Sequence, residues 1–265
     1  MTQSDPSTRG PHPNGPHLKL ALLFGVAGVL ATLALSPYLV AVMPLKLAAM
    51  PVPLWVLLAA QALQAGVLCW ALGWLGLFLG ARFGLDAPWL RAWVYRQPRD
   101  PSRQARWWLA ALLGVLAALL VVGIQLIGSP WHHAPDMGAG LGSAWRGALA
   151  SFYGGIVEEI ECRLFLVSLF VWLLAWLNRQ QALSWMFVVA IVLAALLFGA
   201  AHLPGAFAIG IAHAPLAIAR IVLLNALVGL LTGTLFWKYG LEHAMLAHFC
   251  ADLVLHVAVP LAAHL

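Results

Sequence analysis

Seven apolar runs along this chain approach or exceed the roughly 20 residues needed to cross a hydrocarbon core at about 1.5 Å per helical residue. They cover residues 18–43, 53–81, 107–127, 145–178, 184–202, 216–237 and 241–262. With no water to satisfy the backbone at that depth, such runs fold as helices. The fold class is therefore all-α, a polytopic transmembrane helix bundle of about seven spans, within a range of six to eight. The fourth run, roughly 35 residues, is too long for one straight span. It has to tilt, break, or begin as a shorter helix in the interface, and a break would add an eighth span.

Composition closes the other options. Of 265 residues, 63% are hydrophobic and 9% charged, with mean hydropathy +0.92. A soluble domain carries about 25% charged residues. A soluble globular fold, a disordered chain and a nucleic-acid binder are excluded together. The 14 Lys and Arg against 9 Asp and Glu reflect topology, because most of the excess lies in one connection. Cys69, Cys162 and Cys250 all fall in apolar runs and read as small packing residues.

Three regions follow: a polar, Pro- and Gly-rich segment over 1–17 expected to be a disordered tail, N-terminal transmembrane helices over 18–143, and a helical core over 144–265. Arg82, Arg91, Arg96, Arg99, Arg103 and Arg106 crowd the second connection. Arg9, Lys19, Arg179 and Lys238 share its parity, against Lys46 and Arg146 on the other side. The positive-inside rule then places the N-terminus in the cytoplasm and, with seven spans, the C-terminus outside. Trp89, Trp93, Trp107, Trp108, Trp131, Trp145 and Trp237 sit at block edges and are expected to be interfacial anchors. Gly229 and Gly233 form a GxxxG that permits close helix contact.

Ionisable side chains inside a span cost about 2.5–3.5 kcal/mol each on insertion scales, which makes them the informative residues. They gather in three places. In VEEIECR (157–163), Glu159 and Arg163 lie four apart, about 40° from eclipsed on an α-helix, with the acid N-terminal as an ion pair prefers. That pairing leaves Glu158 on another face, free to enter a cavity. Glu161 either shares that cavity or reaches the headgroup layer. In FGAAH (198–202), Phe198 and His202 share a face. In HFCAD (248–252), His248 and Asp252 do so, and His256 extends the stripe. His243, near the start of that helix, reads as interfacial, and Asn225 as a hydrogen-bonding partner for a neighbouring helix.

A desolvated glutamate with two histidines and an aspartate can activate water and steady an oxyanion. The same set, centred on Glu158, His202 and His248, could alternatively ligate a divalent metal. There is no HExxH, so zincin geometry on one helix is absent.

The ordered triple resembles the CAAX prenyl protease 2-like family, the CPBP intramembrane proteases, whose pattern is EExxxR, then FxxxH, then HxxxN or HxxxD. Here the matches are Glu158, Glu159 and Arg163, then Phe198 and His202, then His248 and Asp252. The stretch GLLTGTLFWKYGLEHAMLAH before the third motif is also similar, and the resemblance covers roughly residues 145–256. It implies an integral, multi-pass membrane endopeptidase, in the plasma or inner membrane if the chain is prokaryotic. Its partners are the bilayer and a membrane-associated peptide or protein, not nucleic acid. Glu158 would be the base, His202 would position the water, His248 and Asp252 would stabilise the oxyanion, and Glu159 and Arg163 would support them.

The resemblance favours a glutamate mechanism with no cofactor, although the family was once taken for metalloproteases. Asp252 departs from the Asn of eukaryotic members: an ionised carboxylate accepts hydrogen bonds and cannot donate one. Cys162 and Leu164 replace Phe and Gly of many members, a matter of packing. Two other classes stay open. One is a non-proteolytic immunity or scaffold protein of the same family, and the other a proton-coupled transporter using the carboxylates as a relay.

Overall fold

A computed structural model describes residues 17–101, 103–127, 140–211 and 213–262. The expected tail over 1–16, with Arg9, and also Trp131, lie outside the described residues. Among the described residues all regular structure is helical, and seven helical segments are long and apolar enough to cross a membrane. They run Leu18–Val42, Leu54–Phe83, Trp107–Ile127, Leu141–Leu177, Ser184–Ala208, Pro215–Tyr239 and Leu241–Ala262. The chain is an integral, multi-pass membrane protein.

In order, the helices are α1 (Leu18–Val42), the short α2 (Pro44–Ala48), α3 (Leu54–Gly80), α4 (Pro88–Val94), α5 (Trp107–Ile127) and α6 (Leu141–Tyr153). After α6 come two π-helical segments, Gly154–Glu158 and Ile160–Val167, and then α7 (Ser168–Leu177). The rest are α8 (Ser184–Ala201), α9 (Leu203–Ala208), α10 (Pro215–Tyr239) and α11 (Leu241–Leu253), with a π turn (Val254–Ala258) leading into α12 (Val259–Ala262).

The fourth run does not break, so it adds no eighth span. Its 37 residues stay helical from Leu141 to Leu177 by changing turn type. A π turn bonds residue i to i+5, so every backbone group stays paired while the helix widens. Glu158, Glu159 and Arg163 all lie on this widened stretch.

The core fills where α1, α3, the π segments, α8, α10 and α11 meet, around Leu20, Phe24, Leu77, Ile160, Leu164 and Phe236, all fully buried. Leucines such as Leu116, Leu119 and Leu223 are exposed on the outside, the inverse of a soluble protein and the pattern lipid requires. Cys69 packs against α1 and is wholly buried, and Cys162 is buried on the fourth span.

Side-chain bonds tie connections together at the end of the bundle where the first span begins. Arg82 Nη1 donates to Gln180 Oε1 at 3.2 Å, joining the end of the second span to the end of the fourth. Glu242, at the start of α11, accepts from the backbone N–H groups of Trp89 and Leu90 at 2.8 Å each, and so holds the start of α4. Arg91 pairs with Asp86 through two contacts, 2.5 and 2.8 Å, and donates to His17 Nδ1 at 3.1 Å. Burial and this guanidinium hold the His17 imidazole below its ordinary range.

The same fold corrects two expectations. His243 is not interfacial: it is fully buried, stacked on Trp107 at 4.1 Å, and its Nε2 accepts from the Arg106 backbone N–H. The Arg-rich connection, clasped by Glu242, folds over it. Trp89 and Trp107 therefore pack inward around His243, and Trp237 stacks on Phe187 at 4.9 Å. Trp93, Trp108 and Trp145 keep the exposed positions an anchor needs.

Candidate active site

The three polar motifs come from three different spans, and helix packing brings them to one place. Glu159 and Arg163 are buried to 0% and 1% exposure, and Arg163 Nε lies 3.3 Å from Glu159 Oε2. A turn holding more than four residues brings positions four apart closer to eclipsed, which favours this pair. Glu159 also has a second partner. Its Oε1 accepts a 2.7 Å hydrogen bond from His248 Nδ1–H on α11. One buried carboxylate thus holds a cation on its own helix and an imidazole on another.

Arg163 is held from the far side as well. Its Nε donates to Thr232 Oγ1 of α10 at 2.7 Å, and its guanidinium carbon sits 4.4 Å from the centre of the Phe198 ring. Gly229, one turn before Thr232, admits the guanidinium: an added Cβ would meet Ala195 and Arg163 Nη2 at 3.0–3.3 Å. The GxxxG therefore makes room for an ion pair as well as for α8.

Phe198 supports both histidines. Its ring meets His202 edge-on at 4.8 Å and His248 at 5.5 Å. The His202 Nδ1–H donates to the Phe198 carbonyl at 2.9 Å, which turns Nε2 toward the fourth span. Glu158 waits there, partly exposed, with Oε1 4.0 Å from His202 Nε2 and Oε2 3.7 Å from His248 Nε2. The two imidazoles meet at Glu158 although His202 caps the end of α8 and His248 lies just past the middle of α11. Asp252, one turn beyond His248, places Oδ1 3.7 Å from the same Nε2.

The backbone shapes the pocket too. Gly154, first residue of the π segment, faces Asp252 Oδ2 and His248 Nε2 so closely that a Cβ there would strike the carboxylate. Glycine inside a helix costs about 0.8–1 kcal/mol relative to alanine. Here it provides the room the two side chains occupy.

Of the remaining polar residues, Glu161 forms no hydrogen bond or ion pair among the described residues. Asn225 Nδ2 donates to Ile221 O of its own helix at 2.8 Å, where a neighbouring helix was expected as its partner. His256 meets Tyr38 of α1 edge-on at 5.7 Å, beyond Asp252. Thr232 and Gly154 were not singled out from the sequence. A threonine within the GxxxG and a double glycine within a helical run are the signals that could have found them.

Residues 140–254 match the family model described as Rce1-like, type II CAAX prenyl endopeptidase. Over these residues the chain is similar to that family. The Rce1-like segment begins just before α6 and ends two residues past Asp252, so it contains all three motifs and excludes α1 to α5. The activity that the matched family model describes is that of a CAAX prenyl endopeptidase. No curated protein and no solved structure matches the chain.

Glu158, His202 and His248 are the residues that could hold a divalent metal here. Among the described residues no three His, Cys, Asp or Glu side chains are grouped in ligating geometry. His202 offers one nitrogen only, since Nδ1 is occupied by the Phe198 carbonyl.

Proposed function

We propose that this protein is an intramembrane endopeptidase in which Glu158 activates water to cleave a peptide bond of a membrane-associated protein or peptide. The reading rests on one observation, the convergence of Glu158 with an imidazole Nε2 from each of two other spans. Gaps of 4.0 and 3.7 Å are too long for direct hydrogen bonds. Each is short enough for a single water to contact both sides.

As general base, Glu158 takes a proton from this water while the oxygen attacks the scissile carbonyl carbon. That assistance supplies about 10²–10⁴-fold in rate. His202 Nε2 orients the water. His248, with Nδ1–H fixed by Glu159, presents an Nε2–H to the oxygen that becomes negative when it is the imidazolium, in which both ring nitrogens donate. One such donor supplies about 2.7–4 kcal/mol. The carbon–nitrogen bond then breaks, and Glu158 returns its proton to the leaving amine. As an acid, Asp252 donates a second hydrogen bond to that oxygen; as a carboxylate it only accepts. The mechanism needs no cofactor. The N-terminus and the Arg-rich connection face the cytoplasm by charge bias, with the seventh span ending outside.

The test is cleavage of a fluorogenic peptide library by the purified full chain, beside Glu158→Ala and His248→Ala, each with and without chelator. Both substitutions are expected to lower cleavage by at least about 10²-fold, and chelator to change nothing. Cleavage that survives both substitutions overturns the proposal. Loss to chelator alone moves the reaction to a metal held by Glu158, His202 and His248. A cellular phenotype that persists in Glu158→Ala points to the non-proteolytic scaffold instead.

A further inference from the structure

Lined by none of the proposed catalytic residues, a shallow groove of about 510 Å³ lies between α1 and α4. Its floor is apolar and turned outward: Leu22 and Val26 of α1 are 51% and 58% exposed, and Trp93 of α4 is 70% exposed. Lys19 and Arg96 stand on its rim, both exposed, and no carboxylate lines it. The groove lies at the end of the bundle that carries the Arg-rich connection, where the first span begins.

The backbone at Arg96 is a second, independent observation. Arg96, two residues past α4, adopts the left-handed region, φ +52°, with Gln97 N–H closing onto Ala92 O at 2.9 Å. This helix-ending position usually takes glycine or asparagine, because a Cβ is strained there. An arginine at a position suited to glycine points to a use for its side chain. Its neighbours identify the use: a guanidinium beside an ammonium, at the head of an apolar channel that faces lipid, with an interfacial indole alongside.

We propose that the α1–α4 groove binds an anionic phospholipid. One acyl chain lies along Leu22 and Val26, Trp93 sits at the glycerol level, and the phosphate is held between Lys19 and Arg96. Zwitterionic lipids fit the floor equally well, so the selectivity comes from the two cations, at about fivefold each and roughly 25-fold together. Arg91 and Asp86 are already paired on the other side of α4 and take no part.

Native mass spectrometry of the full chain, released from micelles holding equal phosphatidylglycerol and phosphatidylcholine, tests this. The wild type is expected to retain one phosphatidylglycerol about 25-fold more often than phosphatidylcholine. Lys19→Gln with Arg96→Gln abolishes that preference, and Arg82→Gln, on the same face, keeps it. Arg96→Gly removes the cation while relieving the backbone, so it melts no lower than wild type yet loses most of the preference. Equal retention of the two lipids by the wild type, or an undiminished preference in Arg96→Gly and the double variant, overturns the proposal. Competition by water-soluble glycerophosphate as effective as by the intact lipid also overturns it, since the apolar floor would then contribute nothing.

Discussion

Glu159 Oε1 and His248 Nδ1 stand 2.7 Å apart, in a bond that joins the fourth span to the seventh through residues 89 positions apart in the chain. The same carboxylate neutralises Arg163 at 3.3 Å. Glu159 therefore serves both the stability of the bundle and the aim of an imidazole, and the two roles can be separated.

Glu159→Gln leaves a guanidinium without a counter-charge in a fully buried site, which costs about 3–5 kcal/mol. The expected result is a large drop in melting temperature together with loss of cleavage. Replacing both partners, Glu159→Leu with Arg163→Met, removes both charges and restores most of the stability. Cleavage stays lost because His248 has no acceptor for Nδ1–H. Recovery of activity in the double variant would show that Glu159 does not position His248.

Thr232 acts one step further out, through Arg163. Thr232→Val strips Arg163 Nε of its hydroxyl acceptor in the interior, a loss of about 1–3 kcal/mol. The expected kinetic signature is a lower kcat at unchanged KM, and Thr232→Ser should restore both kcat and melting temperature. If Thr232→Ser behaves like valine, the hydroxyl is not what holds Arg163.

Gly154 offers a test in which stability and activity are expected to part. Alanine is favoured over glycine in a helix by about 0.8–1 kcal/mol. The added methyl, however, collides with Asp252 Oδ2 and crowds His248 Nε2. Displacements near 1 Å at a reacting centre cost about 10²-fold in rate. Gly154→Ala is therefore expected to fold and to cleave about 10²-fold more slowly. Undiminished cleavage would place the reacting atoms elsewhere.

Asp252 distinguishes a donor from an acceptor. Asn keeps the shape and always carries N–H donors, whereas Ala removes the group. If Asp252 donates to the oxyanion, Asp252→Asn retains cleavage within about threefold and Asp252→Ala loses about 10²-fold. Loss in both, measured as kcat against the same peptide, would assign Asp252 an accepting role.

Seven spans were legible because crossing a bilayer is a local demand. Residues 107–127 and 241–262 match the observed spans, and the others differ by up to six residues at an end. The Glu159–Arg163 pair was legible for the same reason, since both sit on one helix four positions apart. His243 was misread because its burial comes from Trp89, Trp107 and Arg106, far away in sequence. The second partner of Glu159 was invisible too, because nothing within seven residues of Glu159 indicates that α11 passes beside it. The π turns were hidden in a double glycine that has many other uses.

Run length, charge bias and the spacing of three polar motifs follow from the chain alone, because hydrocarbon thickness and helical repeat act on neighbouring residues. The tertiary structure decided which nitrogen faces Glu158, which carboxylate holds His248, and that Thr232 and Gly229 of α10, with Gly154 of the fourth span, make the site fit. Those outcomes depend on how far each helix turns and how closely its neighbours approach, and packing between distant segments sets both.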